Sequence, residues 1–505
     1  MNCSPLHRFH LPGLELLRSP ESRRVLTTLL VALGSSVVMI LAGCANPRGI
    51  ELKAALVSPV SLGAESAAEV APVAADWWKS FDDPVLADLI ARATAGNPNL
   101  RVAAARSSRA AANVASAQAN DGPQLGLGAD LSRQRITGNG IYPPPIAGST
   151  LTSATVQLSG SWELDFFGRN RAQLDAAIGA ERASVADADA ARILLGVNVA
   201  RSYVQLARLV AQREVLQRAL AQRNEVLALI RQRFSAGLDT AVEVRQGEGA
   251  VPETRQQLEG VEEQVALTRH AIAALLGEPP QRFDTLTPKL STVRAITVPE
   301  VVPADLVGRR ADIVAARWRV EAASGDVRSA RAQFYPNINL TAFLGLSSIG
   351  LDRLARAGSE QFGVGPAIRL PIFDSGRLRA NLRGKTADLD AAVESYNAAL
   401  IDAVHDVADQ LTSLRSIDRQ QAEQAQARTA AESAYDLSSQ RYKAGLGTYL
   451  TVLNAEAGVL NQRRLAADLK ARALDSQVAL IRALGGGYSA DADVASLAGT
   501  ASTPP

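Results

Sequence analysis

The chain repeats itself. Arg233-Phe-Ser-Ala-Gly-Leu-Asp-Thr240 returns as Arg441-Tyr-Lys-Ala-Gly-Leu-Gly-Thr448, and Gly168-Arg-Asn-Arg-Ala-Gln-Leu174 returns as Gly376-Arg-Leu-Arg-Ala-Asn-Leu382. Leu276-Gly277 returns as Leu484-Gly485, and all three pairs share one offset, 208 residues. Upstream, Val114, Ala117, Ala119 and Pro123 match Val327, Ala330, Ala332 and Pro336 at an offset of 213, so five residues were gained or lost between Pro123 and Gly168. One offset held over more than a hundred residues means two tandem copies of one structural unit, and the fold must be able to hold both.

Each copy predicts the same order of elements. A first helix covers about Leu86 to Asn120, or Asp312 to Phe334, and Pro123 and Pro336 end it. A β-hairpin follows. A very long helix then runs from near Gly168 or Gly376 to a turn at Gly237 or Gly445, and a third helix returns from Thr240 to Leu276 or from Thr448 to Leu484. A helix from Gly168 to Ser235 would be about 100 Å long at 1.5 Å per residue, beyond the diameter of an ordinary domain. Val244, Val251, Leu258, Val265 and Ile272 recur every seven residues, as do Leu453, Leu460, Ala467, Leu474 and Ile481. Such heptads predict helices that supercoil around partners. Pro252 interrupts the first returning helix and should kink it.

The strands alternate with period two. Ile338, Leu340, Ala342, Leu344 and Leu346 fall on one face, as do Leu125, Leu127, Ala129 and Leu131, while the other face carries Asn, Thr, Gly and Asp. Both an outer-membrane barrel strand and a half-buried strand of a soluble sandwich read this way. Four strands are expected, at about 124–135, 151–163, 336–347 and 360–372. Four strands cannot close a barrel, and an open edge in lipid leaves backbone groups unpaired, so the reading requires several chains; three would supply twelve strands.

At the turns, Gly237 and Gly445 suit the left-handed position that ends a helix. Thr240 can cap the next helix with Glu243 as its reciprocal partner; Thr448 repeats the cap, but Thr451 replaces the Glu. Asp239 is the acidic residue closest to a turn, and Gly447 supplies no matching charge.

The N-terminus reads as an export signal. Arg18, Arg23 and Arg24 precede the apolar run Val25 to Ala42, which ends in Leu41-Ala42-Gly43-Cys44. The small residues before Cys44 resemble the bacterial lipobox, in which the cysteine becomes the acylated first residue. Cys3 would leave with the signal, so Cys44 has no disulfide partner. No later segment offers about 18 consecutive apolar residues, so membrane passage is expected through β-strands. The charge is balanced, 53 basic against 51 acidic residues, which argues against nucleic-acid binding. His270 and His405 lie in separate helices, and no metal spacing, nucleophile–base pair or phosphate loop is present, so no cofactor or catalytic residue is expected beyond the lipid on Cys44.

Taken in order, further motifs carry a resemblance to a known family. They are Trp77-Trp78-x-x-Phe81-x-Asp83-Pro84-x-Leu86, Asn97-Pro98, Trp162-Glu-Leu-Asp-Phe-Phe-Gly-Arg169, Pro303-x-Asp-Leu-x-x-Arg-Arg-Ala-Asp312-Ile, Phe334-Tyr-Pro-Asn-Ile-Asn-Leu340, Pro371-Ile-Phe-Asp-x-Gly-Arg377 and Arg441-Tyr-x-x-Gly445. With these the chain resembles the TolC-like outer-membrane efflux family, in its lipidated OprM- or NodT-like branch. The resemblance implies a mainly α fold with membrane β: a trimer with a shared outer-membrane β-barrel and a periplasmic α-helical barrel. It implies an equatorial region and docking to a periplasmic adaptor and an inner-membrane pump. Gly447 and Asn454 stand where relatives often place Asp.

The expected organisation is a signal peptide over 1–43, an N-terminal equatorial segment over 44–85, repeat one over 86–277, a linker over 278–308, repeat two over 309–485 and a flexible tail over 486–505. The expected function is a passive exit duct for small solutes such as drugs or metals, in the outer membrane and lipid-anchored. An exit duct for a secreted protein is the second reading. A periplasmic adaptor is a third, but it would carry one helical hairpin rather than two. The turn residues Gly237, Asp239, Thr240, Gly445, Gly447 and Thr448 are the candidate periplasmic gate. There three copies of Asp239 would form a cation-attracting ring, or Asp239 would only favour the next helix N-terminus.

Overall fold

A computed structural model describes residues 46–62, 73–293 and 309–488. The expected signal peptide, Cys44, much of the linker and most of the tail lie outside the described residues. The elements are α1 (Pro84–Gly96), α2 (Pro98–Ala119), β1 (Gln124–Arg135), β2 (Thr150–Leu164), α3 (Arg169–Ser235), α4 (Ala241–Leu276), α5 (Ala311–Ala332), β3 (Asn337–Ile349), β4 (Glu360–Arg369), α6 (Arg377–Lys443) and α7 (Tyr449–Ala483). Both long helices, α3 and α6, run 67 residues. The single helix expected from Leu86 to Asn120 is two helices. Pro98 has no N–H and pushes Asn97 out of the helical region, to ψ 124°. Asn97 then uses its side chain twice: Nδ2 donates to the Leu275 carbonyl at 2.7 Å, and Oδ1 accepts from the Asn99 N–H at 2.7 Å. α4, by contrast, continues as one helix through Pro252. One stretch of α3 is apolar and long enough by composition to cross a bilayer, but 67% of it is buried.

The described residues pack as two units, each built from both repeats. Unit 1 holds residues 46–53, 115–176 and 323–390; the rest form unit 2. In unit 1 the strands form one antiparallel sheet in the order β1-β2-β3-β4. Ile50 packs there with Val327, Phe334, Leu378 and Leu382. Gly325 lets α5 approach α3: a Cβ would stand 2.8 Å from the Ala176 nitrogen.

Unit 2 is the helical core. Trp77, Phe81, Leu86, Ile90, Val199, Leu206, Ile272, Leu276, Val478 and Ile481 form one apolar cluster. Fully burying a side chain such as Ile90 contributes about 1.5–3 kcal/mol. The Trp-Trp-x-x-Phe-x-Asp-Pro motif explains itself here. Trp77 packs edge-on against Trp78 and Phe81, and Asp83 caps α1 by accepting from the N–H groups of Val85 and Leu86 at 2.9 and 3.1 Å. The other Asp83 oxygen accepts from the buried Tyr203 hydroxyl at 2.9 Å. In the Arg309-Arg310-Ala-Asp312 motif Arg310, 7% exposed, pairs with Asp312 and Asp406, and Arg482 reaches the same Asp406 oxygen. The heptad positions Val251, Val265, Ile272, Leu474 and Ile481 are all buried, so the periodicity marks the packed stripe.

Candidate functional site

The sheet of unit 1 has two chemically distinct faces. Register places Leu127 beside Leu158, Leu158 beside Leu344, and Leu344 beside Phe362. The same face carries Leu125, Ala129 and Leu131, then Val156 and Trp162, then Leu340, Ala342 and Leu346, then Val364 and Ile368. Most are exposed: Leu125 is 74%, Leu127 75%, Phe362 80% and Val364 77% accessible. A monomeric soluble protein does not leave so large a contiguous apolar surface uncovered. On β3 the stripe from Ile338 to Leu346 is about 27 Å along the strand, at ~3.4 Å per residue. Beyond Leu131 the same face of β1 turns to Arg133 and Arg135. The opposite face is polar and small: Gln124, Gly126, Gly128, Asp130, Ser159, Glu163, Asn339, Thr341, Gly363 and Arg369, with Phe343 as the aromatic exception. At the helix end, Trp162 donates its indole N–H to the Asp121 carbonyl at 2.8 Å, and Phe167 stacks on Tyr335 at 4.9 Å.

The two helical turns lie in unit 2. Gly237 (φ +73°) and Gly445 (φ +77°) occupy the left-handed position. Leu238 N–H donates to the Arg233 carbonyl at 2.9 Å and Leu446 N–H to the Arg441 carbonyl at 2.8 Å, the six-to-one bond that closes such helix ends. Thr240 and Glu243 form the reciprocal cap expected. Thr448 makes no side-chain cap; its hydroxyl lies 3.1 Å from that of Thr451, which has no carboxylate to return the bond. A Cβ at Gly447 would meet only ordinary contacts, the nearest at 3.6 Å, so the backbone does not demand glycine there.

Asp239 is neither a free charge nor only a helix-end residue. Its side chain is 7% exposed. Arg233 donates to both carboxylate oxygens, at 3.1 and 3.2 Å, and Tyr442 donates its hydroxyl to Oδ2 at 2.5 Å. The Arg233 guanidinium also lies over the Tyr442 ring, 4.8 Å from its centroid. Burial, then the Asp239 carboxylate, push the Tyr442 hydroxyl well above the usual phenol range, so it stays a donor at all physiological pH. The carboxylate belongs to the first turn and the phenol to the second. In the repeat register Tyr442 replaces Phe234 and Gly447 replaces Asp239, so one carboxylate serves both turns.

Further along the same helices sits a buried charge. Arg223 of α3, 10% exposed, donates to Glu456 of α7 at 3.1 Å. It also donates to the Ala250 carbonyl at 3.0 Å and the Thr254 hydroxyl at 2.8 Å, both on α4 beside Pro252. Gln222 reaches the Tyr435 hydroxyl on α6. Burial raises the Glu456 carboxyl above its ordinary range, and Arg223 opposes that shift.

Of the candidate residues, the structure brings Asp239 into contact with a partner from the other turn and leaves Gly447 without one. Sequence reasoning missed Arg233, Tyr442, Arg223 and Glu456. The first two sat inside the repeated motif, where the exchange of Phe234 for Tyr442 was the available signal. Among the described residues no group of His, Cys, Asp and Glu is arranged to hold a metal ion.

Comparison with known proteins places this geometry. The family model for outer membrane efflux proteins matches residues 89–278 and 302–486. The multidrug resistance outer membrane protein MdtQ of Escherichia coli O6:H1 is 34% identical over 420 residues, 82% of this chain and 88% of MdtQ. The fusaric acid resistance protein FusA of Burkholderia cepacia is 35% identical over 380 residues, 74% of this chain and 71% of FusA. The crystal structure of the outer membrane protein VceC of Vibrio cholerae superposes with a TM-score of 0.78 at 36% identity, covering 82% of this chain and all of VceC. Doubled helical hairpins, a four-stranded sheet with one apolar face and these matches lead to one conclusion: the chain belongs to the outer membrane efflux protein family and is a TolC-like outer-membrane channel, not an enzyme.

Proposed function

We propose that three copies of this chain close a twelve-stranded barrel in the outer membrane and form a passive exit duct for small organic solutes, fed by a periplasmic adaptor and an inner-membrane pump. The observation that carries the proposal is the open four-stranded sheet, apolar on one whole face. Its free edges, β1 and β4, satisfy their backbone groups in lipid only by pairing with further copies. The relatives named for multidrug and fusaric acid resistance favour drug-like solutes over a secreted protein. Cys44 carries the lipid anchor in this reading. The Arg233–Asp239–Tyr442 cluster is the latch of the periplasmic gate, because it is where the two turns of one chain hold each other. Cysteine cross-linking of β1 to β4 in native membranes tests the assembly. A ladder ending at three chains is expected; a ladder ending at two, or none, refutes it.

A further inference from the structure

We infer that the polar face of the sheet carries a platform for planar aromatic solutes, built on Phe343. The inference rests on the barrel closure proposed above, which turns this face toward the pore. Phe343 is the only aromatic residue on that face among the described strand positions. Its row reads Gly126, Ser159, Phe343, Gly363 across the four strands. The neighbouring rows read Gly128, Gln157, Gly345, Gln361 on one side and Gln124, Ser161, Thr341, Gly365 on the other. A tall ring thus stands in a floor of glycine and serine, and it is 41% exposed.

The ring has a fixed side and an open side. A Cβ at Gly363 would meet the Phe343 ring at 2.6 Å, so the ring lies over that glycine. Cβ atoms at Gly126 and Gly365 would meet nothing within 4 Å, so the wall is recessed there. Gln361 donates to Gln157 at 2.9 Å and closes one rim with polar groups. A flat aromatic molecule can lie in the recess with its face or edge on the ring. An aliphatic cation keeps a cation–π contact with the ring but gains no ring-on-ring packing. Covering Gly363 would alone explain an apolar side chain, but leucine would cover it as well. The aromatic character is what the test must isolate.

The test uses the full-length protein reconstituted in planar bilayers, with ethidium or tetrapropylammonium added on the side of the strand-connecting loops. Phe343→Leu keeps the apolar cover and removes the ring. The concentration of ethidium that halves the current should rise about 2- to 13-fold, the worth of one aromatic pair. Block by tetrapropylammonium, which has only the cation–π contact to lose, should weaken less than the ethidium block, and the unblocked conductance should stay as in the wild type. Phe343→Trp should retain the ethidium block, and Gly365→Ala, whose Cβ would meet nothing within 4 Å, should weaken it. Equal ethidium block in the wild type and Phe343→Leu overturns the inference and leaves the channel reading intact. A β1–β4 cross-linking ladder that does not end at three chains overturns barrel closure, and this inference with it.

Discussion

Replacing Arg223 by Met leaves the Glu456 carboxylate buried without its cation. Glu456 is 7% exposed, and among the described residues its one ion-pair partner is Arg223. Removing one member of a buried pair costs about 3–5 kcal/mol, because the other charge is stranded. The backbone adds little to this cost. The Ala250 carbonyl keeps a bond from the Thr254 hydroxyl at 2.8 Å, so it is not orphaned. The double variant Arg223→Met, Glu456→Leu should recover most of the loss, since neither charge remains. The two single effects and the double effect then differ by at least about 2 kcal/mol of coupling. Native-state hydrogen exchange over 218–232 and 450–460 reads this locally, without requiring two-state unfolding of a large assembly. Exchange in Arg223→Met should rise roughly 150- to 5,000-fold and return to near wild-type rates in the double variant. Additive effects would show that Arg223 acts through its contacts to α4 alone. The pH dependence has a definite sign. The folded Glu456 carboxyl titrates above its unfolded value, so the folded state binds more protons. Its contribution to stability is complete below the unfolded value near 4.3 and is lost as pH rises through the folded one. Acidification from neutral pH should therefore raise the protection factors here, with the intrinsic pH dependence of amide exchange divided out, in the wild type and not in Glu456→Gln.

Three further outcomes follow from the same geometry. Tyr442→Phe removes one donor to Asp239, a bond to a charged group worth about 1.5–3 kcal/mol, and should raise open probability in planar bilayers; an unchanged closed fraction would remove this contact from the gate. Intact mass of the protein extracted from membranes should correspond to a chain starting at Cys44 plus acyl groups, and Cys44→Ala should lose them; an unmodified mature chain contradicts the anchor. Asp83→Ala deletes the cap of α1 and the acceptor of Tyr203 together, and should destabilise by about 2–4 kcal/mol in native-state hydrogen exchange over 84–96; a loss under about 1 kcal/mol would mean that water replaces these bonds.

Much of this protein is decided locally, and locality is what a sequence can show. The four strands appear within a few residues of expectation because period-two alternation depends on side chains two apart. The turns at Gly237 and Gly445 follow from glycine at a left-handed position, with Thr240 and Glu243 three residues apart. The break at Asn97 follows from Pro98, which has no N–H to continue a helix and keeps the residue before it extended. What remained for the tertiary structure to decide was pairing across long separations. Tyr442 meets Asp239 over 203 residues, and Glu456 meets Arg223 over 233. No helical or strand period links such positions. Their meeting depends on the angular phase at which α3, α4, α6 and α7 pack, which the summed burial of many apolar residues sets. Phe343 lies between these cases. Alternation alone places it on the polar face, but only the register of three strand pairs surrounds it with glycine, because each pairing fixes which small residue stands opposite.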